Sequence, residues 1–401
     1  MSAADLQATR DAGQQLRVQL AQRLDPTLVV CVAALLGLGL VMVGSASVGI
    51  AERNLGDPFH YLYRQTVYVI LGLLAAAAMY RIRLAYWAAA TALLLVLAFL
   101  LLGLLLIPGV GVTVNGSTRW LSLGLFNLQV SEVVKLLITL YMAGYLCRHA
   151  RAVRERFSGF LRPMVVLSLV AVLLLMQPDF GAAVVLMAIG LTLLFLGGAR
   201  LWQFGLLLGT VAGALVALAV TTPYRMARLT AFVDPWTDPF NSGFQLTQSL
   251  IAIGSGSWLG AGLGASVQKL FYLPEAHNDF LFAVLAEELG LAGIAVVILL
   301  FGGFLWRSFA IARAAETAGQ TFGAYAAYGV GVWIGLQAFV NMAVNMGLLP
   351  TKGLTLPFMS YGGSSMLVSC AAVGLLLRVH RETVESRALR GSRVLRGRRA
   401  S

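Results

Sequence analysis

The chain has 401 residues, 59% hydrophobic and only 11% charged, with a mean hydropathy of +0.83 and a formal net charge of +12. A soluble globular domain carries roughly 25% charged residues, and the apolar runs that recur here are each long enough to cross a hydrocarbon core of about 30 Å, so a soluble fold is excluded. A membrane β-barrel is excluded as well, because barrel strands run about 10 residues and alternate in polarity. The cysteines Cys31, Cys147 and Cys370 lie far apart in or beside apolar runs, which gives neither a disulfide framework nor a metal-ligand spacing.

In chain order, a polar N-terminal stretch leads to the first apolar run, Leu28–Val48. That run is too long for a signal-peptide core and lacks a small-residue cleavage site, so it reads as a retained first membrane helix. About ten spans follow from the same criterion. Their cores fall in Leu28–Val48, Val67–Met79, Trp87–Ile107, Val133–Cys147, Met164–Met176, Ala182–Leu196, Phe204–Thr221, Phe280–Leu305, Tyr325–Leu348 and Ser364–Leu377. The expected architecture is an all-α polytopic membrane protein. It divides into a cytoplasmic segment 1–24, a transmembrane domain 25–380 and a basic cytoplasmic tail 381–401. A large extracytoplasmic loop, 222–279, precedes the eighth helix.

Orientation follows from lysine and arginine, which favour cytoplasmic loops. Arg10, Arg17 and Arg23, Arg81 and Arg83, Arg148 to Arg162, Arg200, Arg307, Arg313 and the tail from Arg378 to Arg399 share one side. The opposite loops carry few, chiefly Arg53, Arg64, Arg119, Arg225, Arg228, Lys269 and Lys352. Both termini are therefore expected in the cytoplasm. The same bias accounts for most of the positive charge through contact with anionic membrane lipids, and nucleic acid is not needed as a partner.

Two outward loops are too long for simple connections. One runs from Pro108 to Ser131. The other contains GFQLTQSLIAIGSGSWLGAGLGASVQKLFYLP, which is apolar, glycine-rich and nearly uncharged. Such a composition argues against a solvated linker and for a segment packed on the bundle, with short re-entrant helices.

Several charged residues stand where hydropathy alone would not put them, and charge in or near a bilayer usually serves function or a partner. Glu275, His277 and Asp279 lie at the mouth of the eighth span, with Glu287 and Glu288 further down it. Asp279 suits a helix N-cap; it equally suits a carboxylate acting as general base at the outer face, and one residue can do both. Glu132 and Lys135 are three apart, on one helix face, and read as a local ion pair; the lysine could instead meet Asp279 or an anionic ligand. Arg119 and Trp120 follow the Asn115-Gly116 turn and suit interfacial anchoring, although a guanidinium there could also bind phosphate. Lys352 sits in LPTKGLTLPFMSYGGSS, whose prolines and glycines exclude regular helix. Irregular backbone at that depth is expected to line a cavity. Asp179, in Gln177-Pro-Asp-Phe180, reads as a helix cap, and Glu287 and Glu288 as structural.

Taken together and in order, the motifs VNGSTRWLSLG, LQVSEVVKL, QPDFGAAVV, FVDPWTDPFNSGFQLTQSLIAIGSG, YLPEAHNDFLFAVLAEELG and LPTKGLTLPFMSYGGSS resemble those of the SEDS family (shape, elongation, division and sporulation). Its members include RodA and FtsW. The PTKGLTLPFMSYGGSS form is most like the FtsW, cell-division branch. The resemblance covers nearly the whole chain and implies a glycosyltransferase of the bacterial inner membrane, at the division septum. The family polymerises peptidoglycan glycan strands from lipid II, a disaccharide-pentapeptide on undecaprenyl pyrophosphate, without a nucleotide.

The family's catalytic aspartate falls on Asp279, and its fourth-span glutamate and lysine fall on Glu132 and Lys135. Its important tryptophan falls on Trp120. Arg119, His277 and Lys352 are expected around the substrate, and a divalent cation (Mg or Mn) could share the work near the pyrophosphate. The implied partners are a class B penicillin-binding protein, a transpeptidase, and other division proteins. Val130, Asn278 and Ala286 depart from the family's usual Pro, Thr and Gly, which touches local backbone shape and no charged site residue. A lipid II flippase and a non-catalytic division scaffold are the competing expectations.

Overall fold

The computed structural model describes residues 24–399 apart from 115–116, 123, 125–126, 207–208, 210–234, 238–242, 271–272, 274 and 351–352. Lys352, most of the N-terminal segment and most of the seventh predicted span lie outside the described residues. Among these residues, seven helices are long and apolar enough to cross a membrane, and two shorter apolar ones accompany them.

Helix α1 (Pro26–Leu55) starts where sequence chemistry asks it to. Asp25 accepts the Leu28 N–H at 3.0 Å, and Pro26 follows as a first helical residue that needs no donor. Gly56, in the left-handed region at φ 71°, ends it. Helix α2 (His60–Arg81) follows. The third predicted span is broken at Ala90 into α3 (Leu84–Ala89) and α4 (Thr91–Leu104). The loop from Pro108 to Ser131 holds a small antiparallel sheet within the otherwise helical fold: β1 (Gly111–Val114), β2 (Ser117–Ser122) and β3 (Asn127–Gln129), in that order. Register pairs Val112 with Trp120 and Trp120 with Gln129, so Trp120 sits on the central strand.

Helix α5 (Val130–Glu155) is the most enclosed of the long helices. It packs against α4 and α10 (Thr321–Asn345). Helices α6 (Phe157–Met176) and α7 (Phe180–Leu196) pair beside it, with Asp179 capping α7 through the Ala182 N–H at 3.2 Å, as its sequence position predicted. In contrast, α2 turns Val67, Ile70, Leu73 and Leu74 outward, as expected of a helix facing lipid, while its other side packs on α11 (Gly363–Arg399).

The apolar outward segment does pack on the bundle. Its helix α8 (Phe244–Ser255) lies on α9 (Leu281–Thr317). Helix α9 breaks at Gly290 (φ 63°, ψ −162°), a backbone region open in practice only to glycine. The break leaves orphan backbone groups, and the chain after α8 satisfies them. Ala261 and Gly262 N–H donate to Glu287 and Glu288 carbonyls at 2.9 and 3.1 Å; Leu291 and Ala292 N–H donate to Ser257 and Trp258 carbonyls at 3.0 and 3.1 Å. Irregular backbone at membrane depth thus finds its partners inside the protein.

Glu287 and Glu288 serve this seam. The Glu287 carboxylate accepts the Ser266 hydroxyl at 2.5 Å and the Val267 N–H at 2.9 Å. Glu288 pairs with Lys269 at 2.8 Å and takes the Ser45 hydroxyl of α1 at 2.7 Å. Both are structural, as read from sequence. At the far end of α9, Arg307 meets Asp25 at 2.5 Å, with His380 of α11 at 3.8 Å. Charges on that end tie three helices together.

Candidate active site

Asp279 lies just ahead of α9, and its surroundings come from distant parts of the chain. The turn before it is set by Glu275, which adopts φ 56°, and whose carbonyl receives the Asn278 and Phe280 N–H groups at 3.0 and 3.4 Å. The N-cap position of α9 is Phe280, not Asp279, and no side chain of the local sequence caps it. Instead, Asn345 of α10 accepts the Ala283 N–H on its side-chain oxygen at 3.2 Å. The capping expectation for Asp279 is therefore corrected. A residue far along the chain does that work, and the Asp279 carboxylate makes no hydrogen bond or ion pair among the described residues.

The Asp279 backbone, in contrast, is firmly held. Its carbonyl accepts the side-chain N–H groups of Asn341 at 2.9 Å and Asn345 at 3.1 Å. Asn341 also donates to the Leu354 carbonyl at 2.6 Å, which fixes the irregular segment from Gly353 onward against the same point. That segment comes close: a Cβ on Gly353 would lie 3.1 Å from Asp279 Oδ2. Only a residue without a side chain leaves the carboxylate its place unperturbed.

One turn further along α10, Gln337 continues the polar stripe. Its side-chain oxygen accepts from Lys135 Nζ at 2.6 Å and from Trp333 Nε1 at 2.9 Å, while its amide donates to the Thr355 carbonyl at 3.1 Å. Lys135 also pairs with Glu132 at 2.8 Å and lies 5.3 Å from the Trp333 ring centroid. Lys135 is 0% exposed and Glu132 3%. The local pair read from the sequence is present, and the direct Lys135–Asp279 contact is not. Both residues, expected around the substrate, are enclosed in this structure. They support the 353–356 segment from behind.

Arg119 reaches from β2 to the turn before α7. It donates through Nε to the Gln177 carbonyl at 3.1 Å and through Nη2 to that of Pro178, and lies 4.0 Å from the Asp179 carboxylate. Arg119 therefore staples the sheet to α7, and interfacial anchoring is not its role. Its charge still reaches Asp279. Trp120 beside it is half-buried. The sheet is in turn fastened to α11, because the Ser364 hydroxyl accepts the Gln129 N–H at 2.7 Å and donates to the Asn127 carbonyl at 3.1 Å.

His277 faces away from this polar cluster into tyrosines. Its ring lies 4.7 Å from that of Tyr61 and 5.5 Å from that of Tyr361, and its carbonyl accepts the Tyr361 N–H at 3.0 Å. Burial pushes the imidazole below its ordinary pKa, against a smaller opposing pull from Glu275, so it is neutral at physiological pH.

The electrostatics of Asp279 differ from those of an ordinary carboxylate. Burial first, and then the neighbouring Glu275 charge, raise its pKa to about 7, with Arg119 holding it from rising further. A carboxylate titrating there can take a proton from a hydroxyl during a reaction and still be ionised at rest. Among the described residues no group of three or more His, Cys, Asp or Glu side chains is arranged to hold a metal ion. By themselves these side chains do not fit the divalent cation expected from the sequence.

The site brings together Asp279, the charge of Arg119 and the backbone at Gly353, and places Lys135 and Glu132 behind them. Sequence reasoning missed Gln337, Asn341 and Asn345. Their signal was a four-residue repeat of amides along one face of an otherwise apolar span.

Comparison with known proteins bears on this arrangement. The cell cycle protein family of FtsW, RodA and SpoVE matches residues 26–385. A probable peptidoglycan glycosyltransferase FtsW of Thioalkalivibrio sulfidiphilus is 79% identical over 400 residues, covering 100% of both chains. The protein of that name from Nitrosococcus halophilus is 60% identical over 350 residues, 87% of this chain and 90% of its own. Among solved structures, one from work on the "structural coordination of polymerization and crosslinking by a peptidoglycan synthase complex" aligns with a TM-score of 0.74 at 33% identity, covering 90% of this chain and 98% of its own. The rod shape determining protein RodA of Thermus thermophilus aligns with a TM-score of 0.65 at 30% identity, over 90% of this chain and 97% of its own. With the same fold along nearly its whole length and the family's motifs in their places, the chain belongs to the FtsW/RodA/SpoVE family of cell cycle proteins.

Proposed function

We propose that the protein is a peptidoglycan glycosyltransferase of the bacterial inner membrane, polymerising lipid II at the division septum with Asp279 as general base. The observation that carries the assignment of the base is the Asp279 carboxylate. Its backbone is clamped by two asparagines, its capping duty is taken by Asn345, and burial brings its pKa to about 7. Asp279 takes the proton from the acceptor sugar hydroxyl as that oxygen attacks the donor anomeric carbon. The new glycosidic bond forms as the bond to the undecaprenyl pyrophosphate breaks, and the pyrophosphate carries the electron pair away. Direct displacement of this kind inverts the anomeric centre.

Arg119, whose charge reaches Asp279, and Lys352, the sequence neighbour of Gly353, are the cations assigned to the developing charge. The buried Lys135 acts through Gln337 and the Thr355 carbonyl, keeping Gly353 against Asp279. By analogy with the peptidoglycan synthase complex, the partner is a class B penicillin-binding protein that crosslinks the strands made here.

The test is purified protein, with and without its transpeptidase, incubated with lipid II, and the glycan products resolved on a gel. Polymer from the wild type and none from well-folded Asp279→Asn is the expected result. Full polymerisation by Asp279→Asn would remove Asp279 as the base. Translocation of lipid II in vesicles without any polymer would favour a flippase.

A further inference from the structure

At the end of the bundle remote from Asp279, a cavity of about 410 Å³ opens between α9, α10 and α11. The distance from Asp279 is roughly 40–50 Å along α9, at about 1.5 Å per residue. Its wall includes Trp306, Phe309, Ala310 and Arg313 from α9, Tyr328 from α10 and Arg387 from α11. Trp306, Phe309 and Arg313 recur at three and four residues, so one face of α9 supplies both the aromatic rim and the charge. Trp306 is 65% exposed.

The two guanidiniums lack carboxylate partners. Neither forms an ion pair among the described residues, and the nearby Glu316 carboxylate accepts the Tyr328 hydroxyl at 3.3 Å instead. Arg387 is nonetheless fixed: its Nη2 donates to the Ala314 carbonyl at 3.0 Å and the Thr317 hydroxyl at 2.8 Å, closing the end of α9. A guanidinium has five N–H donors; Nη2 spends both of its hydrogens on these two bonds, and the Nε and Nη1 hydrogens remain unused among the described residues. Each can meet a phosphate oxygen as a single charge-assisted donor held in place.

We propose that this cavity binds the phosphate headgroup of an anionic phospholipid from the adjoining leaflet. Arg313 and Arg387 hold the phosphate, and Trp306 and Phe309 lie along the acyl chains. Charge complementarity selects this occupant. The lysine and arginine bias of the chain assigns this end to the cytoplasm, where the leaflet is rich in anionic lipid. An indole at the rim is at home at headgroup level. The cavity falls within the usual range for small-molecule sites, about 300–1,000 Å³.

The proposal can be tested on full-length protein by native mass spectrometry, scoring retained phosphatidylglycerol against phosphatidylcholine. Arg313→Gln removes a charge-assisted bond. Ala310→Phe fills the cavity and leaves every charge in place, and thermal unfolding reports whether each variant folds. Selective retention of phosphatidylglycerol by the wild type is expected, with about tenfold weaker retention in Arg313→Gln, the loss of one charge-assisted hydrogen bond, and weaker retention in Ala310→Phe because the added ring occupies the headgroup's space. Equal retention of phosphatidylcholine would overturn the proposal. So would displacement by millimolar inorganic phosphate, which would mark a site for a free anion. Unchanged retention in Ala310→Phe would also overturn it, assigning the lipid to diffuse attraction by the basic tail.

Discussion

Replacing Asp279 by asparagine should make the protein more stable while removing its activity. The wild-type carboxyl titrates at about 7 in the fold, against a reference of 3.8. Below the reference value Asp279 is protonated both folded and unfolded, and burial costs it nothing as a charge. As pH rises from about 4 to 7, the unfolded chain releases the proton while the fold retains it, so stability falls through that window and levels off above it. A shift of roughly three units corresponds to at most about 4 kcal/mol. Asp279 is only half-buried, and solvent screening brings the expectation to about 1–2 kcal/mol.

The amide that replaces the carboxyl would be neutral throughout, and the backbone clamp from Asn341 and Asn345 would stay intact. Thermal unfolding in detergent, followed by intrinsic fluorescence at one fixed scan rate, should show Asp279→Asn melting a few degrees above wild type at pH 8. The two should converge as pH falls to 4. A variant that melts below wild type at pH 8, or a difference that ignores pH, would refute the desolvation argument and with it the account of the base.

Other expectations follow from the same geometry. Polymerisation should lose about tenfold per pH unit on an acid limb with an apparent pKa near 7, and Glu275→Gln, which removes a like charge, should move that limb to lower pH. Lys135→Met should destabilise by about 3–5 kcal/mol because it strands the buried Glu132 carboxylate, whereas Lys135→Met with Glu132→Leu should recover most of the unfolding temperature but not the activity. Gly353→Ala should leave unfolding nearly unchanged and slow polymerisation, since its methyl group would crowd Asp279 Oδ2. Gly290→Ala should fail to fold or express, because the position combines φ 63° with a Cβ that would collide with the Gly260 nitrogen.

What the sequence disclosed and what it withheld have physical reasons. Membrane helices were legible because a bilayer demands long apolar runs, and the Asp179 cap because capping is local chemistry. The strands of 111–129 were not, since each is only three to six residues long and they pair only by folding back. Asp279 could be placed but not assigned. A cap and a base look alike in sequence, and the group that takes the capping instead, Asn345, lies 66 residues from Asp279. Lys135 and Glu132 revealed their pairing through their spacing, yet their complete enclosure depended on Trp333 and Gln337 of another helix. The break at Gly290 left little trace, as a lone glycine in an apolar helix is commonplace.

That break has a mechanical meaning. By exchanging backbone hydrogen bonds on both sides of Gly290, the 257–262 stretch and the opening turns of α9 become a single stiff piece with two chain segments in it. Trp258 and Leu259 protrude from it, 75% and 81% exposed, while Asp279 stands at its other margin. Shifting the protruding tip without shifting the carboxylate would require four hydrogen bonds to part at once. The 257–262 tip is thereby coupled, through the opening turns of α9, to the segment that carries Asp279.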